Sequence, residues 1–266
     1  MEQVQLMHEP PVLLAVTDGI ARITLNRPHN GNALDLDTAR ILVGIATRCQ
    51  TDRTIRCVTI TGAGRMFCAG GDIGAMRLAG DRADAVLSEL AGTLHMALTR
   101  FARMAKPLLT LVNGPAAGAG FSLAMLGDVV LGARSAHFTA AYSAIGLTPD
   151  GGMSWLLPRL VGLRKAQDII LTNRRIAADE AEAIGLVTRI VDDAVLQAEG
   201  DRLSATLAAA AVGAIGSARA LLRESFETSF ECQLEREVET ISRAGALPES
   251  REGLAAFAER RPAKFQ

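Results

Sequence analysis

The chain has 266 residues, 49% of them hydrophobic, enough for one large domain or a domain with an appendage. Its 28 basic and 29 acidic residues nearly cancel, which argues against a nucleic-acid partner or a polybasic membrane surface. The cysteines (Cys49, Cys57, Cys68, Cys232) form no CxxC pair and the histidines (His8, His29, His95, His137) no HxxH, so free thiols and no metal site are expected.

The opening stretch, MEQVQLMHEPP, has no basic segment followed by an apolar one, so no signal peptide is expected. No apolar run is long enough to span a membrane, and a cytoplasmic protein follows by default. Residues 12–17 and 20–25 read as strands joined by Asp18-Gly19, a hairpin signal. Residues 27–32 form a loop, after which Asp35 or Asp37 caps a helix reaching about Cys49. A short buried strand at 57–61 leads into glycine turns at 62–65 and 69–72. Residues 83–104 read as helix, 108–112 as strand, 122 onward as helix, and 129–133 and 136–139 as strands. Strands apolar on both faces, alternating with helices, predict an α/β core with crossover connections.

After Leu160 the pattern turns helical. Segments 164–171, 177–183, 194–211, 215–231, 234–244 and 249–258 read as helices, with one strand at 184–191. The division falls at 193/194. Residues 1–193 form the α/β core, and 194–266 form a helical region that packs on the core or on another subunit.

The stretch organising the chain is 112–128, VNGPAAGAGFSLAMLGD. A buried strand ends there, small residues turn the backbone, and a helix starts. First-turn N–H groups of a helix lack intrahelical partners, and small residues let a ligand approach them. Such a turn can hold a developing oxyanion. It can equally be a tight strand–helix turn packed on a neighbour.

A second stretch, Phe67-Cys68-Ala69-Gly70-Gly71-Asp72-Ile73, also follows a strand. Together with 112–120 it resembles the paired backbone motifs of the crotonase superfamily, the enoyl-CoA hydratase/isomerase family. Further matches lie in order along the chain: ITLNRP at 23–28 with Asn32-Ala33-Leu34, IGLTPDGG at 145–152, LLPRLVG at 156–162, AEAIGLV at 181–187 and RRPAKF at 260–265. The resemblance implies a spiral of ββα units with a C-terminal helical trimerisation region. It implies an acyl-CoA thioester as substrate, with coenzyme A entering as part of it, and a homotrimer or hexamer.

By position, the two backbone N–H groups that bind the thioester oxygen fall on Gly71 and Ala119. The resemblance assigns Ala69, Asp72, Ile73, Ser122 and Tyr142 to the substrate pocket. It assigns Arg27, Ala33 and Lys264 to the coenzyme A portion. Asp72 also suits orienting the oxyanion loop, Ser122 capping a helix, Tyr142 packing in the core and Lys264 a solvated tail. The family's two hydratase glutamates are replaced here by Ser122 and Tyr142, which removes the pair that activates water. Asp150 remains, where some isomerases of the family, including those acting on phenylacetyl-CoA epoxides, carry an aspartate. It reads as the acid/base, or as the N-cap of a helix beginning near Gly151. The leading function is isomerisation of an enoyl-CoA-type thioester through an enolate. Relaxed hydration comes second, and hydrolysis or dehalogenation third. A non-catalytic CoA-binding or RNA-binding member is the non-enzyme reading.

Overall fold

The computed structural model describes residues 9–265. The expectation about a signal peptide rests mainly on residues 1–8, which lie outside them, as does His8. Strands β1 (Val12–Thr17) and β2 (Ile20–Leu25) form an antiparallel hairpin. Asp18 and Gly19 both take positive φ, as a two-residue turn matched to strand twist requires. Helix α1 (Leu36–Thr51) starts at Asp35, whose carboxylate accepts the Thr38 N–H at 2.8 Å. Strand β3 (Cys57–Gly62) leads to a short α2 (Ile73–Leu78) and the long α3 (Ala83–Arg103). Next come β4 (Leu108–Val112), β5 (Ala116–Ala117), α4 (Ala119–Ala124), β6 (Val129–Ala133) and β7 (His137–Thr139). They are followed by α5 (Met153–Val161), α6 (Leu163–Thr172), β8 (Ile176–Ala177), α7 (Ala178–Ala183) and β9 (Arg189–Val191). Helices α8 (Leu196–Ala209), α9 (Val212–Glu224), α10 (Phe230–Gly245) and α11 (Pro248–Ala258) complete the described chain.

Two sheets result. The larger runs β1-β2-β3-β4-β6-β9, parallel from β2 onward, and the smaller runs β5-β7-β8. All five residues of β4 are buried, which is why LLTLV is one continuous apolar run. The expected α/β class stands. Some bounds differ. The strand expected at 184–191 begins only at Arg189, because Gly185 turns left-handed and Leu186 bonds back to Ala181, closing α7. The helix expected from Ser122 starts at Ala119. The helix expected over 215–231 is interrupted, since Ser229 caps a new helix by accepting the Cys232 N–H at 3.3 Å.

The division placed at 193/194 falls between β9 and α8. Helix α8 lies on the larger sheet, with Leu203, Leu207 and Ala208 against Ile20, Cys57 and Leu109. Leu196 and Leu203 pack against Leu111, Leu131 and Ala133. Helix α9 is tied to the core by Arg219, which pairs with Asp128 at 2.6 Å and donates to the Met104 carbonyl. Beyond α9 the pattern changes. Phe230, Leu234, Val238 and Ile241 share one face of α10, and all are exposed. Among the described residues no single helix is long and apolar enough to cross a membrane.

Candidate active site

The loop after β3 is pinned by two asparagines. Buried Asn32 donates to the carbonyls of Ala63 at 2.9 Å and Met66 at 2.7 Å. Asn113 accepts the Gly62 N–H at 3.0 Å and donates to the Gly64 carbonyl at 3.0 Å. The chain then runs beside 115–117, with Cys68 accepting the Ala117 N–H at 2.9 Å. Leu34 donates to the Gly70 carbonyl and accepts the Asp72 N–H, so the intervening Gly71 N–H points to the opposite side.

The small residues of the second motif are required by contact. A Cβ on Gly120 would lie 2.4 Å from the Cys68 carbonyl oxygen, and Gly118 takes φ +51°. A Cβ on Gly70 would lie 3.5 Å from the Ala119 nitrogen, so the two turns abut. Among the described residues neither the Gly71 N–H nor the Ala119 N–H has an acceptor. Cys68, fully buried beneath both turns, has its thiol pushed up to about 12 by burial and stays protonated.

Both N–H-bearing residues line one cavity of about 600 Å³. Its wall is apolar, built mainly from α2, α3 and the segment before α5, including Met76, Leu87, Leu90 and Leu147. Of the residues expected at the site, Ala69, Gly71, Ile73, Ala119, Tyr142 and Asp150 line it. Asp72, Ser122, Arg27, Ala33 and Lys264 are not in its wall.

Asp150 is the polar centre. The Tyr142 hydroxyl donates to its Oδ1 at 2.6 Å, and the Ser122 hydroxyl donates to its backbone oxygen at 2.8 Å. Burial, and then the adjacent carboxylate, raise the Tyr142 phenol above its ordinary value, so it remains a neutral donor. The helix-cap alternative for Asp150 does not describe its carboxylate. Helix α5 follows Gly152 with no side-chain cap, and only the Asp150 backbone carbonyl meets its first N–H.

Sequence reading missed His95. It lies on α3, with Nε2 3.5 Å from Asp150 Oδ2, and Nε2 accepts the Gly151 N–H at 3.0 Å. The one signal available was a histidine directly after Leu94 on the buried stripe of α3.

The remaining expected residues sit outside the cavity. Arg27 bridges Asp35 and Asp72, both at 3.1 Å, and donates to the Ala33 carbonyl at 2.6 Å. It borders a separate polar groove of about 810 Å³ shared with His29, Asp37 and Arg40. Asp72 Oδ1 accepts the Gly74 N–H at 3.0 Å and so starts α2. Lys264 is exposed, with its backbone N–H on Glu252. Trp155 stacks its ring under Arg159 at 4.0 Å, a packing role.

Residues 15–266 match the family model described as enoyl-CoA hydratase/isomerase. The chain is 34% identical to the 1,2-epoxyphenylacetyl-CoA isomerase of Escherichia coli, covering 96% of this chain and 97% of the relative. It is 35% identical to a probable enoyl-CoA hydratase of Rhodobacter capsulatus, covering 94% and 95%. The crystal structure of an enoyl-CoA hydratase from Polaromonas sp. JS666 superposes with a TM-score of 0.92 at 30% identity, covering 96% of this chain and 99% of that one. The mixed α/β fold with two sheets and C-terminal helices is shared with it. The chain therefore belongs to the enoyl-CoA hydratase/isomerase family, whose substrates are acyl-CoA thioesters.

Proposed function

We propose that the protein is an acyl-CoA isomerase that shifts a double bond, or rearranges a ring, through a thioester enolate. The observation that carries this is Asp150, held by Tyr142 in an apolar cavity lined also by Gly71 and Ala119, whose N–H groups have no acceptor among the described residues. In this reading the two N–H groups bind the thioester oxygen. Charge develops on that oxygen when the α-proton leaves, so fixed donors stabilise the enolate more than the substrate. Asp150 takes the proton and returns it at another carbon. On the resemblance, Ser122 and Tyr142 stand in place of the hydratase glutamates, and both hydroxyls donate hydrogen bonds to Asp150, so neither supplies a carboxylate base for water. The likeness to an isomerase named for 1,2-epoxyphenylacetyl-CoA supports the same choice.

The test is a paired assay. With a 3-enoyl-CoA, the conjugated 2-enoyl thioester is expected to form by ultraviolet absorbance. Hydration of crotonyl-CoA is expected to be slower by about 10²-fold or more, the usual contribution of the missing acid/base pair. Faster hydration than isomerisation would replace this reading with a hydratase.

The assembly belongs to the same proposal. The exposed face of α10, with Phe257 of α11 also exposed, suits burial in a closed homotrimer. Light scattering at micromolar concentration is expected to give a trimer or a multiple of it, and a monomer would remove this part. The free thiols, three of them buried, suit a reducing compartment such as the cytoplasm.

A further inference from the structure

We propose that His95 connects Asp150 to solvent, so that the proton taken from the substrate exchanges with water before another is delivered. The inference rests on the reading of Asp150 as the base. Asp150 has two oxygens with different neighbours. Oδ1 is held by the Tyr142 hydroxyl at 2.6 Å, which leaves Oδ2 to carry the substrate proton. Oδ2 lies 3.5 Å from His95 Nε2. The Gly151 N–H points at that same nitrogen, at 3.0 Å. A nitrogen that accepts a hydrogen bond turns its lone pair to the donor, so this geometry places the ring N–H at Nδ1. Nε2 has one lone pair, engaged by the Gly151 N–H, and it takes the proton from the adjacent carboxyl oxygen when that hydrogen bond gives way.

The two residues also face different surroundings. Asp150 lines the acyl cavity, and His95 does not. The His95 side chain is 46% exposed, against 28% for Asp150. A proton moving from Oδ2 to Nε2 thus leaves the cavity.

The steps balance. The substrate C–H bond breaks, its electron pair enters the enolate, and an O–H bond forms at Oδ2. That O–H bond then breaks as an N–H bond forms at Nε2, which restores the carboxylate and makes an imidazolium. Nε2 can no longer accept the Gly151 N–H, which frees the half-exposed ring. The ring gives the proton to water and returns with its lone pair. Reprotonation runs the same path in reverse, with a proton from water. His95 never touches substrate and acts only through Asp150.

The experiment follows deuterium in the product when a 3-enoyl-CoA turns over in deuterium oxide. Wild type is expected to incorporate about one deuterium per turnover. In His95→Gln the amide oxygen can still accept the Gly151 N–H but cannot carry a proton. Deuterium per turnover is then expected to fall by roughly tenfold, while the double-bond shift continues by internal return. Unchanged deuterium per turnover in His95→Gln, or none in wild type, overturns the inference. Asp150→Asn separates the two levels. If it abolishes turnover and exchange while His95→Gln leaves the ratio unaltered, only the role of His95 fails. If it retains both, the reading of Asp150 fails. Histidine ¹⁵N shifts of the wild-type protein provide a measurement independent of any variant's folding. They are expected to show His95 neutral and protonated at Nδ1, and an Nε2-protonated ring would overturn the proposal.

Discussion

Asp150→Asn is expected to lower turnover of a 3-enoyl-CoA by about 10³- to 10⁴-fold and to stop α-proton exchange, while CoA-thioester binding survives. Asparagine is nearly isosteric, and its amide oxygen can still accept the Tyr142 hydroxyl now bound to Oδ1 at 2.6 Å. The backbone carbonyl that meets the Ser122 hydroxyl is unaffected. The change therefore removes the base and little else. The check is turnover together with deuterium exchange, read against a binding measurement with a non-reacting acyl-CoA. Equal turnover and exchange in both proteins would take Asp150 out of the mechanism. A covalent ester in rapid-quench mass spectra of wild type would instead make it a nucleophile.

Ala119→Pro is expected to lower kcat by about 10²- to 10³-fold with the fold intact. Ala119 is the first residue of α4, a helical position where proline replaces no intrahelical hydrogen bond. Its N–H has no acceptor among the described residues, so no protein contact is lost with it. The ring removes one of the two donors proposed for the thioester oxygen. Circular dichroism and a thermal melt check the fold, and kcat on a 3-enoyl-CoA checks the donor. Unchanged kcat in a well-folded variant would remove Ala119 from the proposed oxyanion site.

What the sequence made legible was local. Asp18-Gly19 specifies its hairpin because both residues tolerate positive φ. Asp35 caps α1 because a side chain can reach an N–H three residues on. The uninterrupted LLTLV announced a strand buried on both faces. The two glycine-rich motifs were legible as turns, because close backbone contact leaves a mark on residue type. Gly120 against Cys68 is the clearest case.

What stayed hidden depends on distant parts of the chain meeting. His95 reaches Gly151 across 56 positions, and no periodicity encodes which helix face comes to rest there. The resemblance pointed to Ser122 and Tyr142 in place of the glutamates, but their shared attachment to Asp150 was not visible. Arg27 and Asp72 carry opposite charges in separate motifs, and only folding showed that they pair. The interruption between α9 and α10 was missed because Ser229 is polar at a place where a continuous helix tolerates a polar residue.

The position of α8 on the larger sheet has a consequence for biosynthesis. Strands β2, β3, β4 and β6 present Ile20, Cys57, Leu109, Leu111 and Leu131 to a helix that lies later in sequence, at 196–209. While the ribosome is still extending the chain through residue 209, that apolar face has nothing of its own to cover it. A nascent chain holding a finished sheet and no α8 exposes the kind of surface that chaperones recognise and that drives aggregation. The vulnerable interval ends when α8 clears the exit tunnel, so the rate at which residues beyond Ala209 are added governs how long each molecule is at risk.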